Sequence, residues 1–290
     1  MADTAARPLE GRSAIVTGAS RGIGKAIAAR LASAGAHVVL GARSVDVPQS
    51  GFTGTVHETA EEIRALGGKA TPLALDLNDA ASREKFIADA TQATGGIDIL
   101  VNNAGTALYK KTWEMTIAEA EGQIAAYFTG PWHLCHLVLP QMIERKRGWI
   151  LNLGSSVATK WPEPGKFEEH MKYFGDYVLY GAVKTAMHRF SAGLAAEVFT
   201  HNIAVNVLGP VGGVYTPGLD SLGLGMDPNS PVFEIPEQMA EAALALVSKE
   251  PTEQTGVIAW SHKYLDEIGR STMSLDGKTV LVDRSATVNA

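Results

Sequence analysis

The stretch KYFGDYVLYGAVKTAM, residues 172–187, holds three tyrosines, and only Tyr180 has a lysine, Lys184, four residues further on. Residues four apart on a helix share a face, so the ammonium would lie beside the phenol. We therefore expect Lys184 to lower the pKa of Tyr180 from about 10 and make it an acid–base group near neutral pH. Tyr173 and Tyr177 have no lysine at this spacing and are expected to line an entrance or to pack locally. The alternative is that the pair lies on an ordinary solvated helix face.

A glycine-rich segment near the N-terminus, TGASRGIGKAIA (17–28), joins a predicted strand to a predicted helix. Gly18 permits a tight turn, while Gly22 and Gly24 let the backbone approach a phosphate and let the helix lie close to the sheet. The first turn of the helix then offers free N–H groups to an anion. The spacing is T-G-x-x-x-G-x-G rather than G-x-G-x-x-G. The strand before it and the amphipathic helix after it nevertheless predict a dinucleotide phosphate site.

Short apolar runs alternate with longer helical patterns along the chain. Runs this continuously apolar suit strands of a parallel sheet that helices cover on both faces. The predicted fold class is α/β: a single doubly wound, Rossmann-type domain with about seven parallel strands and helices on both faces. The predicted strands cover 13–18, 37–42, 70–76, 97–105, 148–155, 203–210 and 256–260. The predicted helices cover 24–35, 57–68, 79–95, 114–145, 179–199 and 236–249.

Three segments are predicted insertions into this alternation, at 44–56, 157–176 and 211–236, and residues 261–290 form a C-terminal extension of the single domain 1–290. Each insertion leaves the carboxyl end of a strand, where open α/β sheets bind their ligands. Long loops in a compact domain are usually functional. We expect the glycine-rich segment 211–236 to form a mobile lid that becomes ordered when ligands bind.

The composition limits the partners and the compartment. A net charge of −6 over 290 residues gives no reason to expect nucleic acid or an anionic membrane as a partner. No apolar run reaches transmembrane length, and no metal site is predicted. Cys135, the single cysteine, lies in an apolar helical run, so it forms no internal disulfide and is expected to be buried. With no hydrophobic signal core at the N-terminus, we expect the protein to be cytoplasmic.

Five motifs together resemble the short-chain dehydrogenase/reductase family. In chain order they are TGASRGIG (17–24), NNAG (102–105), NLGS (152–155), YGAVK (180–184) and IAVNVLGPVGGVYT (203–216). The resemblance covers roughly residues 10–260, and the order and context of the motifs are more specific than any one of them. The insertion after GARS and the stretch TAEEIRALGGKATPLALDLND are similar to the hydroxysteroid dehydrogenase-like branch.

The resemblance implies an oxidoreductase that passes a hydride between nicotinamide and the carbonyl or alcohol carbon of a small molecule. It implies that Tyr180 gives or takes the proton of the substrate oxygen, that Ser155 hydrogen-bonds this oxygen, and that Lys184 also binds the nicotinamide ribose. Ser156 is the alternate serine. The implied cofactor-binding residues are Gly18, Ser20, Arg21, Gly22, Ile23, Gly24, Arg43, Asp76, Leu77, Asn103, Ala104, Gly105, Tyr180, Lys184, Pro210, Val214 and Thr216.

The chain departs from the family pattern at two places. Ser155 lies 25 residues before Tyr180, a longer gap than is common in the family. In the stretch AAYFTGPW, Tyr127 stands where the family usually carries an asparagine that holds a water in a proton path with the lysine. A phenol could hold that water or bond Lys184 in its place, or the path could be broken. The alternative function is therefore a cofactor-binding scaffold or sensor with lost or weak turnover.

The end of the second predicted strand favours NADP as the cofactor, with NAD as the alternative. An NAD site normally has an acid there, which binds the ribose 2′-hydroxyl. Ala42 stands at that place, and the next carboxylate, Asp46, lies in an inserted segment. Arg43 follows directly and Arg21 lies in the glycine loop. Two guanidinium groups suit a 2′-phosphate, unless both are merely solvated.

The substrate and the assembly are predicted only by class. The segments 157–176 and 211–236 are rich in aromatic, aliphatic and glycine residues, which favours a mostly apolar molecule bearing a hydroxyl or carbonyl. The family is commonly tetrameric, so a homo-oligomer, tetramer or dimer, is expected. The apolar helices near 114–145 and 179–199 either provide its interfaces or pack on the sheet.

Overall fold

The computed structural model describes residues 7–49, 52–105, 107–220, 227 and 230–284. A seven-stranded parallel sheet organises the chain, and its strand order is β3-β2-β1-β4-β5-β6-β9. The α/β fold class predicted from the sequence is confirmed. The seven strands are β1 (Ser13–Thr17), β2 (His37–Ala42), β3 (Lys69–Ala74), β4 (Ile99–Asn102), β5 (Gly148–Leu153), β6 (Ile203–Gly209) and β9 (Ile258–Trp260), and two short strands, β7 (Gly213–Val214) and β8 (Phe233–Glu234), pair separately.

Helices cover both faces of this sheet, as the fully buried strands require. The helices are α1 (Gly22–Ser33), α2 (Val56–Ala65), α3 (Ala80–Thr94), α4 (Ile117–Ile124), α5 (Gly130–Arg145), α6 (Phe167–Phe174), α7 (Val178–Val198), α8 (Pro217–Asp220), α9 (Pro236–Ser248) and α10 (Ser261–Glu267). Side chains of α1, α2, α9 and α10 share one hydrophobic core, and those of α3, α5 and α7 share the other. Trp149 of β5 belongs to the first core and Phe86 of α3 to the second.

The strand order reverses between β1 and β4, and this reversal opens the crevice that holds the site. The chain runs from β1 outward to β2 and β3, then returns to β4 on the other side of β1. The two neighbouring strand ends are joined by hydrogen bonds. Thr17 Oγ1 accepts from the backbone N–H groups of Asn103 and Ala104, both at 3.0 Å, and Asn103 Nδ2 donates to the Thr17 carbonyl at 2.8 Å. Because the ends of β1 and β4 are held together, the loops that leave these two strands diverge from this point and leave a crevice between them.

The C-terminal extension is attached to the domain by a buried charge cluster. Glu241 of α9 is 1% exposed and receives Arg30 of α1 at 2.7 Å and Arg270 at 2.6 Å. Two guanidinium groups compensate a carboxylate that would otherwise be very costly to bury. Residues after α10 form the antiparallel strands β10 (Thr272–Met273) and β11 (Val280–Val282), and β10 contacts α9.

The structure differs from the sequence expectations in three segments. The segment 157–176, expected as a loop, contains the 3₁₀ turn Ser156–Thr159 in its first part and the amphipathic helix α6. The predicted helix 114–145 starts at Ile117 and is interrupted by the π-helical turn Ala125–Thr129.

The predicted lid at 211–236 contains β7, α8 and β8. The remainder of this expectation, on residues 221–226 and 228–229, lies outside the described residues. Within the ranges given above, no helix has both the length and the apolarity to cross a membrane.

Candidate active site

A cleft of about 470 Å³ opens at the carboxyl ends of the central strands. It is bounded by the loops that follow β1, β2, β3, β4, β5 and β6 and by the start of α7. Most of the residues singled out in the sequence line it: Gly18, Ser20, Arg21, Gly22, Ile23, Gly24, Arg43, Asp76, Leu77, Asn103, Ala104, Gly105, Ser155, Tyr180, Lys184, Pro210 and Thr216.

Two predicted residues lie outside this lining. Val214 is 6% exposed and packs in the core shared by α1 and α9, and its strand pairs with β8, so its side chain is turned away from the cleft. Ser156 is the first residue of the 3₁₀ turn after β5 and is absent from the cleft lining, in contrast to Ser155. Of the two serines, the structure brings Ser155 into the site.

The glycine loop has the shape needed for an anion. Gly18 has φ +68°, and a Cβ on it would lie 2.7 Å from the Ala104 Cα. A Cβ on Gly24 would overlap the Gly18 carbonyl, so this glycine permits the close approach of α1 to the loop. No side chain caps the N-terminus of α1, and its first residues line the cleft. The free N–H groups of this turn are the donor set that a pyrophosphate requires.

Ser155 and Tyr180 meet at the wall of the cleft. Ser155 follows the end of β5, and Tyr180 is in the first turn of α7. The serine hydroxyl hydrogen-bonds the phenol, and this bond favours the ionised form of Tyr180. Burial outweighs it and raises the pKa of Tyr180 above its ordinary value. The phenol is therefore held in its neutral, protonated form at neutral pH.

Lys184 lies one helical turn after Tyr180 and is 6% exposed. Its Nζ donates to the Leu153 carbonyl at 2.6 Å and lies 5.9 Å from the Tyr180 ring centre. Burial lowers the pKa of Lys184 to about 7, so its ammonium is a weaker electrostatic partner than a solvated lysine. The expectation that Lys184 lowers the pKa of Tyr180 is therefore wrong for this structure, because desolvation dominates both groups.

Tyr127 approaches Lys184 with the face of its ring. The Lys184 Nζ lies 4.5 Å from the ring centroid, which is the geometry of a cation–π interaction. The same ring contacts Tyr180 edge-on, with 5.3 Å between centroids. Gly105 makes room for it, because a Cβ at this position would overlap the ring. Tyr127 lies in the π-helical turn, and it is 7% exposed. The sequence placed Tyr127 beside Lys184 but suggested contact through its hydroxyl.

The sequence did not predict that two further tyrosines, Tyr109 and Tyr177, form a stacked pair beside Tyr180. Tyr109 and Tyr177 stack with 4.1 Å between ring centroids, and Tyr109 contacts Tyr180 edge-on at 5.6 Å. The sequence left two roles open for Tyr177, lining an entrance or packing locally, and in the structure it packs against Tyr109. Tyr109 belongs to none of the motifs, and only the tertiary structure brings it here. The side chain of Tyr173 lies outside the described part of the chain.

His188 was also missed, although it lies four residues after Lys184 on the same helix. Its Nε2 accepts a hydrogen bond of 3.4 Å from the Ser155 backbone N–H, so the imidazole contributes to the position of this serine. A Cβ on Gly154 would overlap His188 Nε2, which explains the glycine of the NLGS motif. Burial, assisted by the charge of Lys184, lowers the pKa of His188 to about 4.

Two arginines lie at the outer end of the cleft. The Arg21 guanidinium stacks 4.0 Å over the Phe52 ring and donates to the Thr53 carbonyl at 3.4 Å. Arg43 lines the same part of the cleft, and its charge, after desolvation, helps to lower the pKa of Arg21. Ala42, at the end of β2, supplies no carboxylate there. The residues present therefore fit an anionic group at this end of a nucleotide.

Comparison with known proteins agrees with the sequence motifs. The family model described as short chain dehydrogenase matches residues 12–225. Hydroxysteroid dehydrogenase-like protein 2 from Danio rerio is 35% identical over 248 residues, which are 86% of this chain and 56% of that protein. The chain thus spans little more than half the length of the curated relatives it matches. The similarity to the hydroxysteroid dehydrogenase-like branch is confirmed.

Solved structures show the same similarity. A short-chain dehydrogenase from Mycobacterium thermoresistibile is 30% identical with a TM-score of 0.78, and the match covers 95% of both chains. A metagenomic short-chain oxidoreductase in complex with NADP is 28% identical with a TM-score of 0.70, and the match covers 87% of this chain and 97% of that one.

The depressed pKa of His188 predicts a loss of stability in acid. In the unfolded chain His188 takes up a proton as the pH falls through 6.5, whereas in the folded protein it resists protonation until about 4. Between pH 6.5 and about 4 the unfolded state therefore binds more protons than the folded state. As a result, the free energy of unfolding decreases as the pH is lowered. Between pH 7.5 and pH 5, His188→Gln should lose about 1–2 kcal/mol less stability than the unmodified protein in urea unfolding.

If His188→Gln kept the pH dependence of the unmodified protein, the imidazole would not be held neutral by the fold.

Proposed function

The chain belongs to the short-chain dehydrogenase family, and we propose that it is an NADP(H)-dependent oxidoreductase acting on the carbonyl or secondary alcohol of a largely apolar small molecule. The observation that carries this proposal is that Ser155, Tyr180 and Lys184 lie together in one cleft, with Lys184 one helical turn after Tyr180 and the Ser155 hydroxyl acting on the phenol. These three groups line the same cleft as the glycine loop. A reacting carbon in this cleft would thus have a proton donor and a nucleotide site within one cavity.

The bound nicotinamide nucleotide would supply or accept the hydride. The residues that would hold it are the glycine loop, Asn103 to Gly105, Asp76, Leu77, Pro210 and Thr216. Tyr180 would transfer the proton of the substrate oxygen. Because burial raises its pKa, the phenol carries this proton at neutral pH and suits carbonyl reduction. The Ser155 hydroxyl would stabilise the charge that develops on the oxygen. Lys184, next to both, would bind the nicotinamide ribose.

The outer arginines support NADP over NAD. Arg21 is fixed by Phe52 and Thr53, so its guanidinium is pre-organised rather than freely solvated. Arg43 is exposed and close enough to repel Arg21 electrostatically, a repulsion that a bound phosphate would relieve. The metagenomic relative in complex with NADP adds support by similarity.

The aromatic surroundings of Tyr180 support an apolar substrate. The Tyr109–Tyr177 stack is a flat apolar surface next to the proton donor. The segment before α7 exposes Trp161, Phe167 and Met171, at 72%, 56% and 48%. Exposed apolar side chains in this segment suit an apolar ligand more than a highly charged one.

A homo-oligomer in the cytoplasm is the setting that we propose for this activity. Helix α5 and the end of α4 expose Trp132 and Ile124, at 44% and 38%, which suits a contact between copies of the chain. The cytoplasmic location is supported by the single cysteine, Cys135, which is buried and free.

Turnover by the unmodified protein and loss of turnover in Tyr180→Phe are the primary expected results. Phenylalanine keeps the ring contacts with Tyr109 and Tyr127 and removes only the transferable proton. The variant should lose about 10²–10⁴-fold in kcat, because this is the usual contribution of general acid–base catalysis. NADPH oxidation with a panel of aldehydes, ketones and quinones measures it, and cofactor fluorescence should show unchanged nucleotide affinity.

Tyr177→Phe is the control, since it keeps the stack on Tyr109 and should be nearly as active as the unmodified protein. An inactive Tyr177→Phe variant together with an active Tyr180→Phe variant would mean that Tyr177, and not Tyr180, is the proton donor. Nucleotide binding without turnover on any carbonyl would instead support a cofactor-binding scaffold or sensor.

The ring-face contact gives a specific expectation for Tyr127. Tyr127→Phe keeps the ring over Lys184, so kcat/KM should change little. Tyr127→Leu removes the ring, and loss of a cation–π interaction of about 0.5–2 kcal/mol should lower kcat/KM by about 2- to 30-fold. The pair of variants separates ring from hydroxyl, because a large loss already in Tyr127→Phe would mean that the hydroxyl takes part in proton transfer.

Cofactor choice depends on the two arginines in this proposal. Arg43→Ala should raise KM for NADP by about 10- to 150-fold, the value of one charge-assisted hydrogen bond, and leave KM for NAD unchanged. Lys85→Ala, in an exposed ion pair with Asp89, is the control and should change neither constant. A higher kcat/KM with NAD than with NADP in the unmodified protein would refute the preference.

A further inference from the structure

A ladder of polar side chains crosses the sheet behind the active site. Asn102 Nδ2, at the end of β4, donates to Asn152 Oδ1 in β5 at 2.8 Å. Asn152 Nδ2 donates to Ser191 Oγ of α7 at 2.9 Å, and Ser191 donates to the Met187 carbonyl at 2.7 Å. All three side chains are buried. The ladder thus connects two central strands to the helix that carries Tyr180 and Lys184.

The last step of the ladder fixes the orientation of every amide in it. A backbone carbonyl only accepts, so Ser191 must spend its single hydrogen on Met187 and accept from Asn152 Nδ2. Asn152 Oδ1 must then be the acceptor for Asn102 Nδ2. Rotating the amide of Asn102 or Asn152 by half a turn, which exchanges its oxygen and nitrogen, would break a hydrogen bond of the ladder. Asn102 Oδ1 is consequently turned away from Asn152, and its direction follows from hydrogen-bond chemistry alone.

Asn102 Oδ1 is a buried acceptor without a partner among the described residues of the protein. Asn102 is 6% exposed, so bulk solvent does not reach this oxygen. An unsatisfied buried carbonyl group is costly, and native proteins normally satisfy it with protein or with an ordered water.

A small cavity lies beside the Asn102 side chain. Its volume is about 10 Å³, about the space of one water molecule. It is lined by Asn102, Asn152, Leu153, Lys184, Ala104, Ala126, Tyr127, Pro131 and Met187. Lys184 is one of five residues that line both this cavity and the large cleft, together with Ala104, Ala126, Tyr127 and Leu153.

We propose that the cavity is a binding site for one water molecule, which donates a hydrogen bond to Asn102 Oδ1 and accepts one from Lys184 Nζ. The amide oxygen can only accept, so the water must direct a hydrogen to it. The charged lysine can only donate, so the water must direct a lone pair to it. One ammonium hydrogen already goes to Leu153, which leaves two others for this water and for the cleft. Asn102 is then a positioning residue that acts on Lys184 through the water.

This arrangement has a defined electrical effect. A water that accepts from Lys184 stabilises the charged lysine against the desolvation that favours its neutral form. Among the described residues, the titratable groups around Lys184 are the phenols of Tyr127 and Tyr180 and the imidazole of His188. None of these carries a negative charge at neutral pH, so hydrogen bonds and the Tyr127 ring must keep the lysine charged.

A high-resolution crystal structure of the unmodified protein tests the site without reference to activity. We expect one ordered water within hydrogen-bonding distance of both Asn102 Oδ1 and Lys184 Nζ. A cavity without density, in a map that shows other buried waters, would overturn the proposal. So would a water that contacts Asn102 but not Lys184.

The variant Asn102→Leu tests the positioning role, and this arm rests on the proposed function. Leucine has a similar size and removes both the acceptor oxygen and the Nδ2 group that donates to Asn152, so the water should leave and the pKa of Lys184 should fall. If turnover requires a charged Lys184, the alkaline limb of the kcat/KM profile should move to lower pH by about one to two units. An unmoved limb in a folded Asn102→Leu variant would refute the role of Asn102.

Cys135→Ala is the matched control. The Cys135 Sγ lies 3.5 Å from Asn102 Nδ2, on the ladder side of the amide, and is absent from the cavity lining. This variant perturbs the surroundings of Asn102 but keeps its oxygen, so the pH limb should stay in place. Absence of turnover in every form would refute the proposed function while the crystallographic arm still decides on the water site.

Discussion

The burial of the Lys184 side chain is the constraint on which the rest of the site depends. A buried ammonium is costly unless its hydrogens find acceptors, and the Leu153 carbonyl at 2.6 Å is the nearest one. Because Leu153 is the last residue of β5, this hydrogen bond ties α7 to the carboxyl end of a central strand. It thereby determines where Tyr180, one turn earlier on α7, meets Ser155 just beyond β5. The position of the reacting phenol is in this sense a consequence of how a lysine is accommodated.

The same burial determines the charge of the site. It raises the pKa of Tyr180 and lowers the pKa of Lys184 to about 7, so both groups shift toward their neutral forms. A site of this kind does not hold a preformed phenolate, and its lysine is only partly charged at neutral pH. It offers hydrogen-bond donors to an oxygen whose negative charge develops only during reaction, and such donors are worth most where water is excluded.

Much of the fold and the cleft follows from local sequence, and the remainder does not. Gly18 and Gly24 are recognisable because a strand–turn–helix with free N–H groups needs glycine at those positions. The spacing of Tyr180 and Lys184 predicts that they share a helix face, but spacing along a helix carries no information on depth, and depth decides both pKa values. Tyr109 reaches the site only through tertiary packing, so no periodicity could have marked it. His188 continues the four-residue spacing of Tyr180 and Lys184 along α7, and this spacing was the signal that could have found it.

Helix α6 escaped prediction for a different reason. Its eight residues, FEEHMKYF, follow WPEPGK, where two prolines and a glycine indicate a loop. The helical run is too short for its 3.6-residue period to be read with confidence against such neighbours. The π-helical turn at 125–129 was hidden in the opposite way, inside a helical pattern long enough to be taken as continuous.

That π-helical turn has a consequence for how the family's members diverge. A π turn contains one residue more than the corresponding α turn, and one residue rotates a helix by about 100°. Deletion of a single residue between Ala125 and Thr129 would therefore turn α4 about its axis relative to α5. Gln123 and Glu119, which line the cleft from α4, would then face elsewhere while Tyr180 and Lys184 stayed in place. A one-codon length change outside the five sequence motifs could thus replace one wall of the binding cleft in a single evolutionary step.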